Sequence, residues 1–210
     1  SGEAAPAPPP RVFALQGKPK AGGETGVAVI GTGAIATGFH LPNLARIPGC
    51  RLVAVANRSG QKAKQWGGRF GAAYCTTDYR DILKDAAVDA VIIATRHHLH
   101  KEMALAAIAA GKHVLVEKPL ALTVADCDEI CDAAEKQGVL LAVGFNRRFA
   151  PLAVAAKEAL GRIAGVKTVV YRCNAGPLPA NHWALDPVEG GGRIRGEAVH
   201  FFDFARWMLD

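Results

Sequence analysis

The chain has 210 residues, which fits one large domain or two small ones. Half of its residues are hydrophobic, but 39 are alanine, and with 21% charged residues the composition is that of an ordinary globular chain with a core. A formal charge of +6 with dispersed Lys and Arg and no interleaved aromatics argues against a nucleic-acid groove. No apolar run approaches the roughly 18 residues of a membrane span, and none resembles a signal-peptide core.

Five scattered cysteines without a CxxC pair read as reduced thiols, hence an expectation of a cytoplasmic protein.

Residues 1–25 are rich in Pro, Gly and Lys and read as a semi-rigid tether. From Gly26 to residue 148, short apolar runs alternate with helical ones. GVAVIG, RLVAVAN, VDAVIIAT, KHVLVEK and VLLAVGF lack strict period-2 alternation, as strands buried on both faces do. Helical stretches fall between them, two of which stop at Gly111 and Gly138. The rhythm predicts an α/β fold, a Rossmann-type doubly wound parallel sheet. Beyond it, PLAVAAKEALG reads as a helix, GVKTVVYRCNA as a strand, and RIRGEAVHFFDFARWML again as a helix. One strand and two helices close no sheet layer, so residues 149–210 are expected to begin an α+β domain that they do not complete.

GTGAIA follows the first of these strands and opens a helix. Gly31 permits a tight turn, Gly33 lets a pyrophosphate approach the backbone, and Ala36 allows close helix–strand packing; Thr32, Ala34 and Ile35 complete the candidate dinucleotide turn. The next strand ends in Asn57-Arg58-Ser59, without the carboxylate that bonds a ribose 2′-hydroxyl. Asn57 removes a charge that would repel a 2′-phosphate and Arg58 offers a forked contact, so NADP is expected, with NAD possible. A solvated surface arginine is the plainer alternative.

ATRHHLHKEMALAAIAAGKHVLVEKPLALT, GFNRRFAP and GGGRIRGEAVHFFD together resemble the Gfo/Idh/MocA oxidoreductase family, the glucose–fructose oxidoreductase and inositol dehydrogenase group. Several of these segments, with NAGPLPANHW, further resemble a branch fused behind a zinc-type alcohol dehydrogenase module. The family resemblance implies that Lys118 of Glu117-Lys118-Pro119 lies beside the nicotinamide and the reacting carbon. A partly desolvated lysine suits proton transfer, whereas a strand-end lysine paired with Glu117 would be structural. It also implies an Asp four residues before a helical His. Here the His is His200, Gly196 stands at the Asp position, and Glu197 is the nearest carboxylate, three residues before His200 and on its helix face.

The resemblance places Thr95, Arg96, His97 and His100 at the cofactor crevice, although the usual Thr-Pro is Thr95-Arg96 here. A metal reading of the three histidines is disfavoured, because His97 and His98 are neighbours that point apart and no fourth ligand is evident. Asn146 and Arg147 are candidate nicotinamide or substrate contacts, and Trp183 either lines a sugar site or anchors its loop.

The implied activity is hydride transfer between NADP(H) or NAD(H) and a sugar, cyclitol or related polyol, with a homo-dimer or tetramer if the second domain is complete. The rivals are a dinucleotide-binding regulatory or inactive module and redox-neutral glycoside cleavage.

Overall fold

The computed structural model describes residues 11–210. A seven-stranded, mostly parallel sheet has the order β1-β4-β3-β2-β5-β6-β7, with β1 at Val12–Ala14, β2 at Thr25–Ile30, β3 at Cys50–Ala56, β4 at Tyr74–Thr76, β5 at Ala90–Ile93, β6 at His113–Val116 and β7 at Leu141–Val143. The five apolar runs of the sequence correspond to β2, β3, β5, β6 and β7. The α/β class and Rossmann-type sheet therefore hold. Five consecutive residues are buried in each of β2 and β3, which is why neither run alternates. β2 lies parallel to both β3 and β5, and β3 to β4.

Among the described residues, seven α-helices accompany the strands: α1 (Leu41–Leu44), α2 (Gly60–Arg69), α3 (Tyr79–Leu83), α4 (His100–Ala109), α5 (Val124–Gln137), α6 (Pro151–Gly161) and α7 (Val199–Leu209). Local chemistry sets several starts. The Ser59, Asp78 and Thr123 side chains accept backbone N–H groups at the first turns of α2, α3 and α5. The stretch from Ala36 is a π-helical turn, Ala36–His40, running into the short α1, and a second π-helical turn, Ile194–Ala198, runs into α7. No helix of the described residues is long and apolar enough to cross a membrane.

The chain forms two compact units, Ser1–Thr95 with Ala106–Val114, and Arg96–Leu105 with Leu115–Asp210. The expected boundary at residues 148/149 is not where they divide.

Two expectations are corrected. The tether reading fails for residues 11–25. Val12, Phe13 and Ala14 pair antiparallel with Thr76, Cys75 and Tyr74, the Leu15 N–H donates to the Ala73 carbonyl, and Lys20 bonds Asp89 at 2.5 Å. Pro and Gly dominate the composition of this segment, but the apolar residues between them suffice for one three-residue edge strand. Residues 1–10 lie outside the described residues. The strand expected in GVKTVVYRCNA does not form either: the segment pairs with no strand among the described residues, and Val166 is 99% exposed. Its β-branched residues supply propensity, but a strand exists only with a neighbour to bond.

Candidate active site

The first unit carries the glycine turn. Gly31 has φ +97°, and a Cβ there would lie 2.4 Å from the Ala94 carbonyl oxygen, so backbone conformation and space both demand glycine. Its N–H donates to the Ala56 carbonyl at 2.9 Å, which fixes the turn to β3. Gly33, Ala34 and Ile35 are exposed and Ala36 is fully buried. The first helical bond runs from the Thr37 N–H to the Gly33 carbonyl at 3.0 Å. The start of a helical ladder leaves its leading N–H groups to outside acceptors, and here they stand on an accessible surface. Thr95 lies two residues beyond the end of β5, its Cγ2 3.0 Å from where a Gly31 Cβ would be.

Asn57 is committed on both sides. Its amide donates to the Thr32 hydroxyl at 2.6 Å, and its carbonyl oxygen accepts the Ser59 N–H at 2.8 Å. The Ser59 hydroxyl caps α2 by accepting the Lys62 N–H. Arg58, between them, is exposed.

In the second unit, the Lys118 ammonium donates to the Gly196 carbonyl at 2.8 Å. Burial holds the Lys118 pKa below the ordinary lysine value; Glu117 and Glu197 oppose that shift, and Arg147 adds to it. His200, on the first turn of α7, is also held below the usual histidine range, first by burial and then by the Lys118 and Arg147 charges. Its Nδ1 is buried without a hydrogen-bond partner among the described residues, and its ring stands edge-on to Phe145 at 6.0 Å.

Glu197 does not serve His200 as the helix spacing suggested. Its carboxylate accepts two bonds from the Arg193 guanidinium, at 2.6 and 2.9 Å. Residues 194–198 form a π-helical turn, so the spacing that puts i and i+3 on one α-helical face does not apply. The carboxylates that act on the His200 charge are Glu117 and Asp203.

The histidines of ATRHHLH part as expected of neighbours: His97 and His100 are buried, and His98 is exposed. His100 Nδ1 bonds the Pro119 carbonyl at 2.7 Å, beside the Lys118–Pro119 cis peptide. His97 Nδ1 bonds the Gly190 carbonyl at 2.8 Å, and burial pushes its pKa down to about 4. Arg96 pairs with Glu189 at 2.9 Å, and its guanidinium lies 4.5 Å from the Trp183 ring centre. Trp183 in turn meets the His97 ring edge-on at 4.7 Å.

The loop around residues 182–190 is therefore strapped to the 96–98 segment. The sequence offered only the loop tryptophan as a hint of this. Asn146 lies exposed in a 3-10 turn, Asn146–Phe149, and Arg147 donates to the Tyr171 hydroxyl at 3.0 Å. Asp203, which sequence reasoning passed over, holds Arg148 by a two-pronged ion pair whose Nε contact is 2.7 Å.

Comparison with known proteins agrees with this geometry. The chain is 33% identical over 186 residues to myo-inositol 2-dehydrogenase of Thermotoga maritima, covering 87% of this chain and 54% of that protein. The structure of GenD2 from gentamicin A biosynthesis, in complex with NAD, matches with TM-score 0.80 and 32% identity, over 92% of this chain and 55% of that one. KijD10, a 3-ketoreductase from Actinomadura kijaniata in complex with NADP and TDP-benzene, matches with TM-score 0.74 and 29% identity, over 84% and 55%. The chain spans about half the length of the curated relatives it matches. The resemblance to a branch fused to a zinc-type alcohol dehydrogenase finds no support in these matches. Residues 25–145 match the Gfo/Idh/MocA model, described as an oxidoreductase family with an NAD-binding Rossmann fold, and the chain belongs to that family.

Proposed function

We propose that the protein is an NAD(P)-dependent oxidoreductase that oxidises a secondary alcohol, or reduces the matching ketone, on a sugar, cyclitol or related polyol. The observation that carries this reading is the pairing, in one unit, of a partly desolvated Lys118 held by a backbone carbonyl with a His200 kept neutral by its surroundings.

The residues of the first unit fit a dinucleotide. The Gly31 turn lets phosphates approach the backbone, and the exposed Gly33, Ala34 and Ile35, just ahead of the Ala36–His40 turn, offer N–H groups to them. Asn57 brings no carboxylate against a 2′-phosphate, and the exposed Arg58 supplies a positive fork, which favours NADP over NAD. The nicotinamide supplies a hydride acceptor or donor when bound. Thr95, Arg96, His97, His100, Glu117 and Asn146 remain candidates for orienting it.

The chain's own work is on the substrate oxygen. Lys118 donates a hydrogen bond to that oxygen, and its positive charge stabilises the developing alkoxide. The His200 imidazole accepts the hydroxyl proton as the carbonyl forms, and returns it in the reverse direction. Glu197 serves this site through Arg193 and the Lys118 charge, not as a partner of His200.

Five free cysteines support a cytoplasmic setting. The family resemblance supports a homo-dimer or tetramer if the second domain is complete.

The deciding experiment is side-by-side titration of NADPH and NADH, followed by a polyol and keto-sugar screen with the tighter cofactor and with Lys118→Ala. Turnover that Lys118→Ala abolishes supports the reading. Turnover that survives unchanged in Lys118→Ala, or cofactor binding without turnover on any polyol, favours a regulatory dinucleotide-binding module. The engagement of Glu197 by Arg193 is the observation on that side.

A further inference from the structure

The glycine at position 196 has a specific neighbour. A Cβ built there would lie 2.9 Å from His97 Cε1 and 3.5 Å from His97 Nδ1. A Cβ contact of 2.9 Å does not occur, so the His97 ring occupies the space in which a side chain at 196 would begin. The ring is immobilised from two further directions, by the Gly190 carbonyl at Nδ1 and by the edge-on Trp183 ring. Gly196 is itself buried, and its carbonyl is the acceptor of the Lys118 ammonium. A fixed imidazole, a bare α-carbon and a lysine acceptor thus stand in series.

We propose that His97 is a positioning residue for Lys118, acting through Gly196: the imidazole rests on the Gly196 α-carbon and so fixes the carbonyl that aims the ammonium. This inference rests on the reading of Lys118 as the group that meets the substrate oxygen. The Nδ1 bond to a carbonyl requires that Nδ1 carry the ring's proton, so the tautomer is set and the orientation is unique. The loop holding Gly190 and Trp183 thereby bears on the lysine through two contacts. Substitutions in that loop would act on Lys118 without touching it.

The test reads Lys118 directly, independently of turnover. Lysines of the intact protein are acetylated with limiting acetic anhydride, and the Lys118 rate is taken relative to the exposed Lys136 by peptide mass spectrometry. In Gly196→Ala the new methyl collides with the ring and displaces the carbonyl, so Lys118 labelling rises by about threefold or more. In His97→Ala the carbonyl loses its support and labelling rises by less, while kcat falls. In the double variant His97→Ala/Gly196→Ala the methyl has room, and Lys118 labelling drops back below that of Gly196→Ala.

A Gly196→Ala rate equal to wild type, a double variant labelled as fast as Gly196→Ala, or a His97→Ala variant with wild-type labelling and kcat overturns the proposal. Should Gly196→Ala not fold, recovery of a folded double variant supports it and an unfolded one overturns it. A wild-type protein without turnover would overturn the oxidoreductase reading while leaving the labelling comparison readable.

Discussion

The Asn57 amide donates to the Thr32 hydroxyl at 2.6 Å and accepts the Ser59 N–H at 2.8 Å, so one side chain ties the phosphate turn to the loop that carries Arg58. A carboxylate at position 57 would keep the second bond and reverse the first, accepting from the Thr32 hydroxyl in place of donating to it. It would also stand where a 2′-phosphate is repelled and a 2′-hydroxyl is bonded. Asn57→Asp is expected to weaken NADPH by roughly tenfold or more and to strengthen NADH. Arg58→Ala is expected to weaken NADPH alone, without moving the melting temperature, because Arg58 is exposed. Calorimetric titration of both cofactors checks each variant, and a wild-type protein that prefers NADH would refute the NADP assignment.

The pH dependence of alcohol oxidation follows from the two perturbed bases. His200 must be neutral to accept a proton, and its pKa lies below the ordinary 6.5 because burial and nearby cations disfavour its charge. The acid limb of kcat/KM is therefore expected below pH 6.5. Lys118 must be protonated to donate, and its pKa lies below 10.5, so the alkaline limb falls below that value. Lys118→Ala should lower kcat by roughly 10²- to 10⁴-fold and remove the alkaline limb. An acid limb well above pH 6.5 would exclude His200 as the base.

His97 links acidity to stability. Its pKa is about 4 in the folded protein and about 6.5 when unfolded. Above pH 6.5 neither state binds the proton and the stability is constant. Between pH 6.5 and pH 4 only the unfolded state takes it up, so stability falls as the pH drops, by a total on the order of 3 kcal/mol. Urea unfolding at neutral pH and near pH 4.5 should show a smaller acid loss for His97→Phe than for wild type. Equal losses would mean that His97 is not buried as a neutral ring.

The Arg148–Asp203 pair holds the Asn146–Phe149 turn to α7. The Asp203 side chain is nearly buried, while Arg148 is about one-third exposed. Asp203→Ala leaves a guanidinium without its partner and is expected to cost about 2 kcal/mol, read as a lower thermal midpoint. Asp203→Asn, which keeps one acceptor, should cost less. Identical midpoints for both variants would show that the charge adds nothing.

The parallel sheet was legible because its strands are buried on both faces, which leaves unbroken apolar runs such as those of β2 and β3. The glycine turn was legible because a backbone constraint, φ +97° at Gly31, forces a residue choice. What failed to show was set by partners distant in sequence. β1 is a strand only because β4 lies beside it, and GVKTVVYRCNA is none because no strand among the described residues does. At the candidate site, Lys118 and His200 could be named from their motifs. The allegiance of Glu197 could not, since helix spacing predicts a neighbour of His200 whereas a π-helical turn and Arg193 decide otherwise. Gly196 read as a missing carboxylate; the structure shows a position filled from elsewhere by the His97 ring.

The short strand β1 also bears on how the molecule behaves in concentrated solution. It caps the outer edge of β4, where Tyr74, Cys75 and Thr76 would otherwise present unsatisfied backbone groups to any passing chain. The cap is only three residues long and is followed by Lys18 and Lys20, so it offers little for another molecule to extend. Trimming the chain back to Gly26 would bare that edge. The trimmed protein would self-associate through edge-to-edge pairing, and light scattering would register its loss before any spectroscopic change in secondary structure.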